Sequence, residues 1–576
     1  MKLLLKNADT INVFTDEVVK TSILISDGII VGVGPEYTDA DAEGGPVRDL
    51  EGAWVAPGFI DGHIHIESTM LLPRELSDLC ITHGTTAVVA DPHEIANVCG
   101  ADGIRYMLSA SSGLPMKVYI CIPSCVPASP FDESGAVLTA DDIRPFYGQD
   151  RILGLAEMMN YPGVLGKDPD VLQKIRDAKE RGFVINGHAP MLSGRELDAY
   201  IAAGVGDDHE CASMEEAVEK LKKGQWIMVR QGTSARNLEN LIGIFDEPYN
   251  HRALIATDDK HPADLMEHGH IDGILREAVR LGADPIVGIR MATIQAAQCL
   301  GLHDVGAIAP GYRADLVVLD DLDTISVRDV YAGGVLAAKD KKAVPLEELE
   351  QQKTGFFVPR IPEELSRKVH HTFHISHLGA DDFKIPAKGI KTCRVIGVIP
   401  GQLITDELHL PVDFDHQNGI STKKDILKLA VCERHHGTGH IGLGFIHGIG
   451  LSEGAIASSV SHDSHNLIVI GTNEEDMAMA AEEIRRMGGG NVFVAGGSVI
   501  SAMELPVAGL MSEKDAKTIA AENAAVRSSL YSYGVPDSVE PFMNMAFVSL
   551  PVIPHLKMTT QGLVDVTGWK RVPLFT

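Results

Sequence analysis

The sequence predicts an α/β fold: a (β/α)8 TIM-like barrel inserted in a small split β-sandwich domain, with a C-terminal α/β domain after it. Three observations predict this. Between Val55 and Leu302, eight apolar strand-like runs alternate with helical stretches, and such alternation implies a parallel sheet. Eight repeats in about 250 residues imply closure into a barrel, with the site at the C-terminal strand ends. On both sides of that region, short strands and turns without helical periodicity read as two halves of one β unit. An open doubly wound sheet is the alternative, and the count of eight disfavours it.

The first half of the β unit covers residues 1–54, with strand-like runs Leu3–Leu5, Ile11–Phe14, Ser22–Ser26 and Ile29–Val33 punctuated by Gly28 and Gly34. The barrel covers 55–302. Its strands are Val55–Ile60, Ala87–Ala90, Lys117–Ile122, Ile152–Ala156, Phe183–Asn186, Val205–Asp208, Trp226–Val229 and Ala253–Ala256. Leu72–His83, Asp170–Arg181 and Ser213–Lys223 are among the helices between them. The second half of the β unit covers 303–350, from the strand–turn–strand run Gly306–Leu319 to Val327–Tyr331 and Gly334–Ala338. Lys341–Arg367 is polar, contains Pro345 and Pro359, and reads as a linker. The last domain covers 368–576, with strands Val395–Ile399 and Asn466–Gly471. Its helix Met477–Met487 is opened by Asn473, Glu474 and Glu475 and closed by Gly488–Gly490.

Bulk properties narrow the function. The chain has 576 residues and a formal net charge of -29, which argues against nucleic acid or an anionic membrane as partner. No stretch approaches the ~20 apolar residues of a membrane span, and the N-terminus lacks a signal-peptide core. The eight cysteines are scattered without a Cys-x-x-Cys pair, which fits a cytoplasmic protein with reduced thiols.

The chemistry gathers at strand ends. His63 and His65 alternate with Ile64, so their side chains share one face and make half of a transition-metal site. Further ends supply Asp91, His93 and Glu94, then Glu157, His188, His209 and Asp258. Read singly, His188 and His209 are ordinary core histidines, and Asp91, His93 and Glu94 could cap a helix. Together, four histidines and two carboxylates around one rim suffice for two divalent ions, with a carboxylate such as Glu157 between them. Two cations sharing a water bring its pKa toward neutrality, and Asp258 beside it could pass the proton to a leaving group. Sequence does not fix whether Asp258 or Asp259 faces inward; Asp258, nearer the apolar run, is preferred. Ser461-His462-Asp463-Ser464-His465 reads either as a loop covering the barrel mouth or as a turn before the next strand.

These residues resemble the amidohydrolase superfamily, through Pro57–His65 and through Pro310–Val317 of the split β unit. Within it the chain is similar to the bacterial-type adenine deaminases. The specific marks are His65–Thr69, Ala90–Val98, Leu155–Asn160, Asn186–His188, Asp258–Pro262 and Ser459–Asn466, spread over essentially the whole chain. The resemblance implies hydrolysis of adenine to hypoxanthine and ammonia, in purine salvage or adenine catabolism. It implies a binuclear centre of Mn2+ or Fe2+, with Zn2+ also admitted. His63, His65, His188, His209 and Asp258 would be ligands, Glu157 the bridge, and Asp258 also the proton shuttle. Glu94 would act on ring nitrogen N1, and Asp91, His93 and Glu94 would contact substrate. A homodimer without nucleic acid or membrane partner is expected. The alternatives are an amidohydrolase for a cyclic amide or N-acyl substrate, and a non-catalytic scaffold of this fold.

Overall fold

The apolar run Val55–Ile60 divides at Gly58. Trp54–Pro57 pairs with Leu316–Leu319 and with Lys2–Asn12, while Phe59–Ile64 starts the barrel. The correction has a local cause: proline has no N–H to continue a ladder, and a Cβ on Gly58 would lie 2.1 Å from the Thr86 hydroxyl. The structure is a computed structural model describing residues 2–233, 235–400 and 402–576. In it, strands from both flanks of the barrel join in one nine-stranded sheet.

The barrel strands are β1 (Phe59–Ile64), β2 (Thr85–Ala90), β3 (Lys117–Ile122), β4 (Ile152–Met158), β5 (Val184–Gly187), β6 (Asp207–Asp208), β7 (Trp226–Arg230) and β8 (Ala253–Ala256). They run parallel in sequence order. The join between β5 and β6 is a close approach: a Cβ on Gly187 would lie 2.1 Å from the Asp207 carbonyl oxygen, so only glycine fits. The ring closes where the Asp258 N–H donates to the His63 carbonyl at 2.9 Å. Alternation along the strands fills the interior with Ile60, Ala87, Val89, Tyr119, Ala156, Met228 and Leu254, while Val88, Ile120 and Leu155 face the surrounding helices.

The segment read as a linker is partly ordered: it forms helices Leu346–Gln351 and Glu363–His370. Leu346 and Leu349 are buried within it and Val369 just beyond it, too few apolar anchors to stand out in a polar stretch. Beyond it, an eight-stranded sheet carries helix Glu474–Met487. One continuous apolar cluster runs from Met70 and Leu71 beside the barrel to Leu510 and Met511, so barrel and C-terminal region share a core. A polar latch adds to it. Glu133, on the loop after β3, accepts from Asn466 Nδ2 at 2.8 Å on its carbonyl, and its carboxylate meets His440 Nδ1 at 2.8 Å. No helix among the described residues is long and apolar enough to cross a membrane.

Candidate metal centre and active site

Glu157, at the end of β4, stands between two pairs of imidazoles. Its Oε1 lies 3.7 Å from His63 Nε2 and 3.3 Å from His65 Nε2. Its Oε2 lies 2.5 Å from His188 Nδ1 and 3.3 Å from His209 Nε2. Asp258 joins the first pair, with Oδ1 3.1 Å from His65 Nε2 and 3.8 Å from His63 Nε2. Its backbone has φ 60°, in the left-handed region that aspartate tolerates better than most residues. The six residues anticipated as ligands therefore meet at one rim, and all but His188 are almost wholly buried.

The donor chemistry suits cations. His65 Nδ1 donates to the Asp91 carbonyl at 3.0 Å, so in the neutral ring Nε2 carries a lone pair. That lone pair points toward His63 Nε2, 3.1 Å away, and toward both carboxylates. Burial, with the neighbouring His209 and His65, holds His63 well below the usual imidazole range, whereas at His65 the Asp258 and Glu157 carboxylates outweigh burial and lift the ring well above it. Converging acceptors of this kind repel one another unless positive charge lies among them.

The supports are equally specific. Asp61 accepts from Thr257 Oγ1 at 2.5 Å and from the His63 N–H at 3.3 Å, tying β1 to β8. Asp208 accepts the Ala189 N–H at 2.9 Å and pairs with Lys220, which also donates to the Ala189 carbonyl at 2.8 Å. That fixes the turn carrying His188 against the one carrying His209. Sequence reasoning gave no role to two residues in the rim. Arg230, at the end of β7, donates to Asp258 Oδ2 and lies 2.5 Å from Glu210 Oε1, and Glu210 Oε1 lies 3.4 Å from His209 Nε2. Burial pushes the Asp258 carboxyl up, but the Arg230 charge and His65 outweigh it and hold it well below the carboxylate range. The available signal was an arginine ending a barrel strand and an acid directly after His209.

Above the rim lies a cavity of about 460 Å³. Its floor includes His65, Glu157, His188, His209 and Asp258, and its roof comes from Leu403, Ile404, Phe547, Leu550, Val552 and Ile553. His93 and Glu94 line it; Asp91 is not among the lining residues and instead faces His93, Oδ2 to Nδ1 3.1 Å. Asp259 also lines it and accepts from Ser68 Oγ. Of the C-terminal loop, His462 and Asp463 line the cavity, while His465 sits behind Glu94.

A closed parallel barrel with histidines and acids gathered at its C-terminal mouth is the architecture of an amidohydrolase, and residues 54–342 match that family. Residues 402–570 match the adenine deaminase C-terminal domain. Adenine deaminase 2 of Carboxydothermus hydrogenoformans is 46% identical over 574 residues, covering 99% of this chain and 96% of its own. The adenine deaminase of Desulfatibacillum aliphaticivorans is 44% identical over 574 residues, covering 100% and 97%, and that of Geobacillus kaustophilus 40% over 575, covering 99% and 96%. The chain belongs to the amidohydrolase family and, within it, to the adenine deaminases.

Proposed function

We infer that this chain hydrolyses adenine to hypoxanthine and ammonia. The observation that carries the reading is the cavity: polar and metal-binding groups form one side, and an apolar wall from the adenine deaminase C-terminal domain forms the other. A neutral, flat heterocycle suits such a space, whose volume is in the range of small-molecule sites.

The family implies a divalent metal, and we read the site as binuclear, with Mn2+ or Fe2+. His63, His65 and Asp258 would hold one ion, His188 and His209 the other, with Glu157 shared. When bound, the ions supply an acidified water and neutralise developing negative charge. Asp258 would accept a proton from the attacking water and pass it to the departing amino group. Arg230 holds Asp258 Oδ2, which leaves Oδ1 directed at the rim. The roof excludes bulk water and confines the ring. Among the described residues all eight cysteines are free, which accords with a reducing cytoplasm. A homodimer belongs to the same reading, and sedimentation tests it.

The experiment is ammonia release from adenine by protein loaded with Mn2+ or Fe2+, against a metal-stripped control and a cyclic amide. Turnover of adenine alone supports the reading; turnover of the amide alone overturns it.

A further inference from the structure

Both oxygens of the Glu94 carboxylate are already engaged. Oε1 lies 2.6 Å from His462 Nδ1, and Oε2 accepts from His465 Nε2. The His465 tautomer is set from behind: Nδ1 accepts the Ser461 backbone N–H at 3.2 Å, so the proton of the neutral ring is on Nε2, facing Glu94. The loop is held in turn by fully buried Arg434, which donates to the His465 carbonyl at 2.5 Å and to the Ala508 carbonyl at 2.8 Å.

His462 is different. Its Nδ1 is committed to Glu94, and its ring lies along Phe547, centroids 4.5 Å apart and planes 22° apart. Both rings line the cavity, and among the described residues His462 Nε2 has no partner. An imidazole fixed at Nδ1 by a buried carboxylate and open at Nε2 is oriented for proton transfer, with the carboxylate stabilising the imidazolium. Its neighbour Asp463 adds a buried oxygen, Oδ2, that has no hydrogen-bond partner and lies 3.9 Å from His93 Nε2.

We propose that His462 is the catalytic residue that protonates ring nitrogen N1 of the substrate, and that Glu94 is the positioning residue that orients it. This rests on the adenine reading and replaces a direct role for Glu94 at N1. As the water oxygen bonds to C6, the C6=N1 π pair moves to N1 and takes the His462 Nε2 proton. The C6–N6 bond then breaks and ammonia leaves. The proton given up by the C6 hydroxyl as C6=O forms returns through solvent to His462. The surroundings favour a protonated ring. Burial pulls the imidazole down, but Glu94, with Asp259 and Asp463 also facing it, outweighs burial and lifts it to about 9, even with His465 and His93 nearby.

The test is His462→Asn, whose amide keeps the hydrogen bond to Glu94 but cannot serve as an acid. With metal content and circular dichroism at wild-type values, kcat for adenine should fall about a hundred- to ten-thousand-fold with little change in KM. Hydrolysis of 6-chloropurine, activated at C6 and losing chloride without a proton, should fall less than about tenfold. Should Asn disturb the loop, His462→Gln gives a second reading of the same contrast. Unchanged kcat for adenine, or an equal fall for both purines, would overturn the proposal. Wild-type protein that turns over neither purine would instead sink the adenine reading beneath it.

Discussion

Lys220 and Asp208 form an ion pair with Nζ 2.6 Å from Oδ2 and neither side chain exposed. The pair sits directly under the turns that present His188 and His209. Removing one partner strands the other charge in a low-dielectric interior.

Lys220→Met should therefore lower stability by about 3–5 kcal/mol, read from urea unfolding, and speed loss of metal on dialysis. Adding Asp208→Asn should recover part of it, because the stranded charge is gone. An unchanged unfolding midpoint in the single variant would show that the pair does not brace these turns.

Arg230→Met should leave the Asp258 and Glu210 carboxylates without their shared cation and reduce kcat about a hundredfold. Arg230→Lys should recover only part, since an ammonium cannot reproduce the fork that meets both acids. Steady-state kinetics at matched metal content decide this; equal rates for Lys and Arg would rule out the geometric role.

Glu157→Gln should bind less than two equivalents of metal per chain and lose more than about a hundredfold in turnover, beyond the usual effect of a supporting residue. Chelation of the unaltered protein should abolish ammonia release, and Mn2+ should restore it. A Gln variant with full metal and normal rate would remove Glu157 from the bridge.

Lys557 gives a pH signature. It is fully buried, donates to the Leu403 carbonyl at 3.0 Å beside the cavity roof, and burial pulls its pKa down to about 7. The unfolded chain keeps this amine protonated up to its ordinary value of 10.5, so between about 7 and 10.5 the unfolded state binds the extra proton. This group's contribution to stability thus rises with pH across that window and is flat below it. Lys557→Met should remove that rise, measured as the difference in denaturant midpoint between pH 7 and pH 9.

The barrel was legible because apolar runs of strand length repeat eight times, and its strand ends announce ligands by residue type. The strand-one boundary was hidden because Trp54–Pro57 and Phe59–Ile60 are apolar on both sides of Gly58, so no change of pattern marks the passage from sheet to barrel. Arg230 was hidden because an arginine ending an apolar strand looks like any solvated charge; its value depends on Glu210 and Asp258, which only folding brings near. The roof was hidden because Leu403, Phe547 and Val552 read as core residues. The partnership of Glu94 with the Ser461–His465 loop is a tertiary contact with no periodic signal at all.

The bridge from Glu94 to His465 joins positions 371 apart in the chain. A ribosome finishes the rim of histidines long before it makes the loop that disciplines Glu94. Because barrel and C-terminal region share one core, the surroundings of Glu94 are complete only when both are folded together.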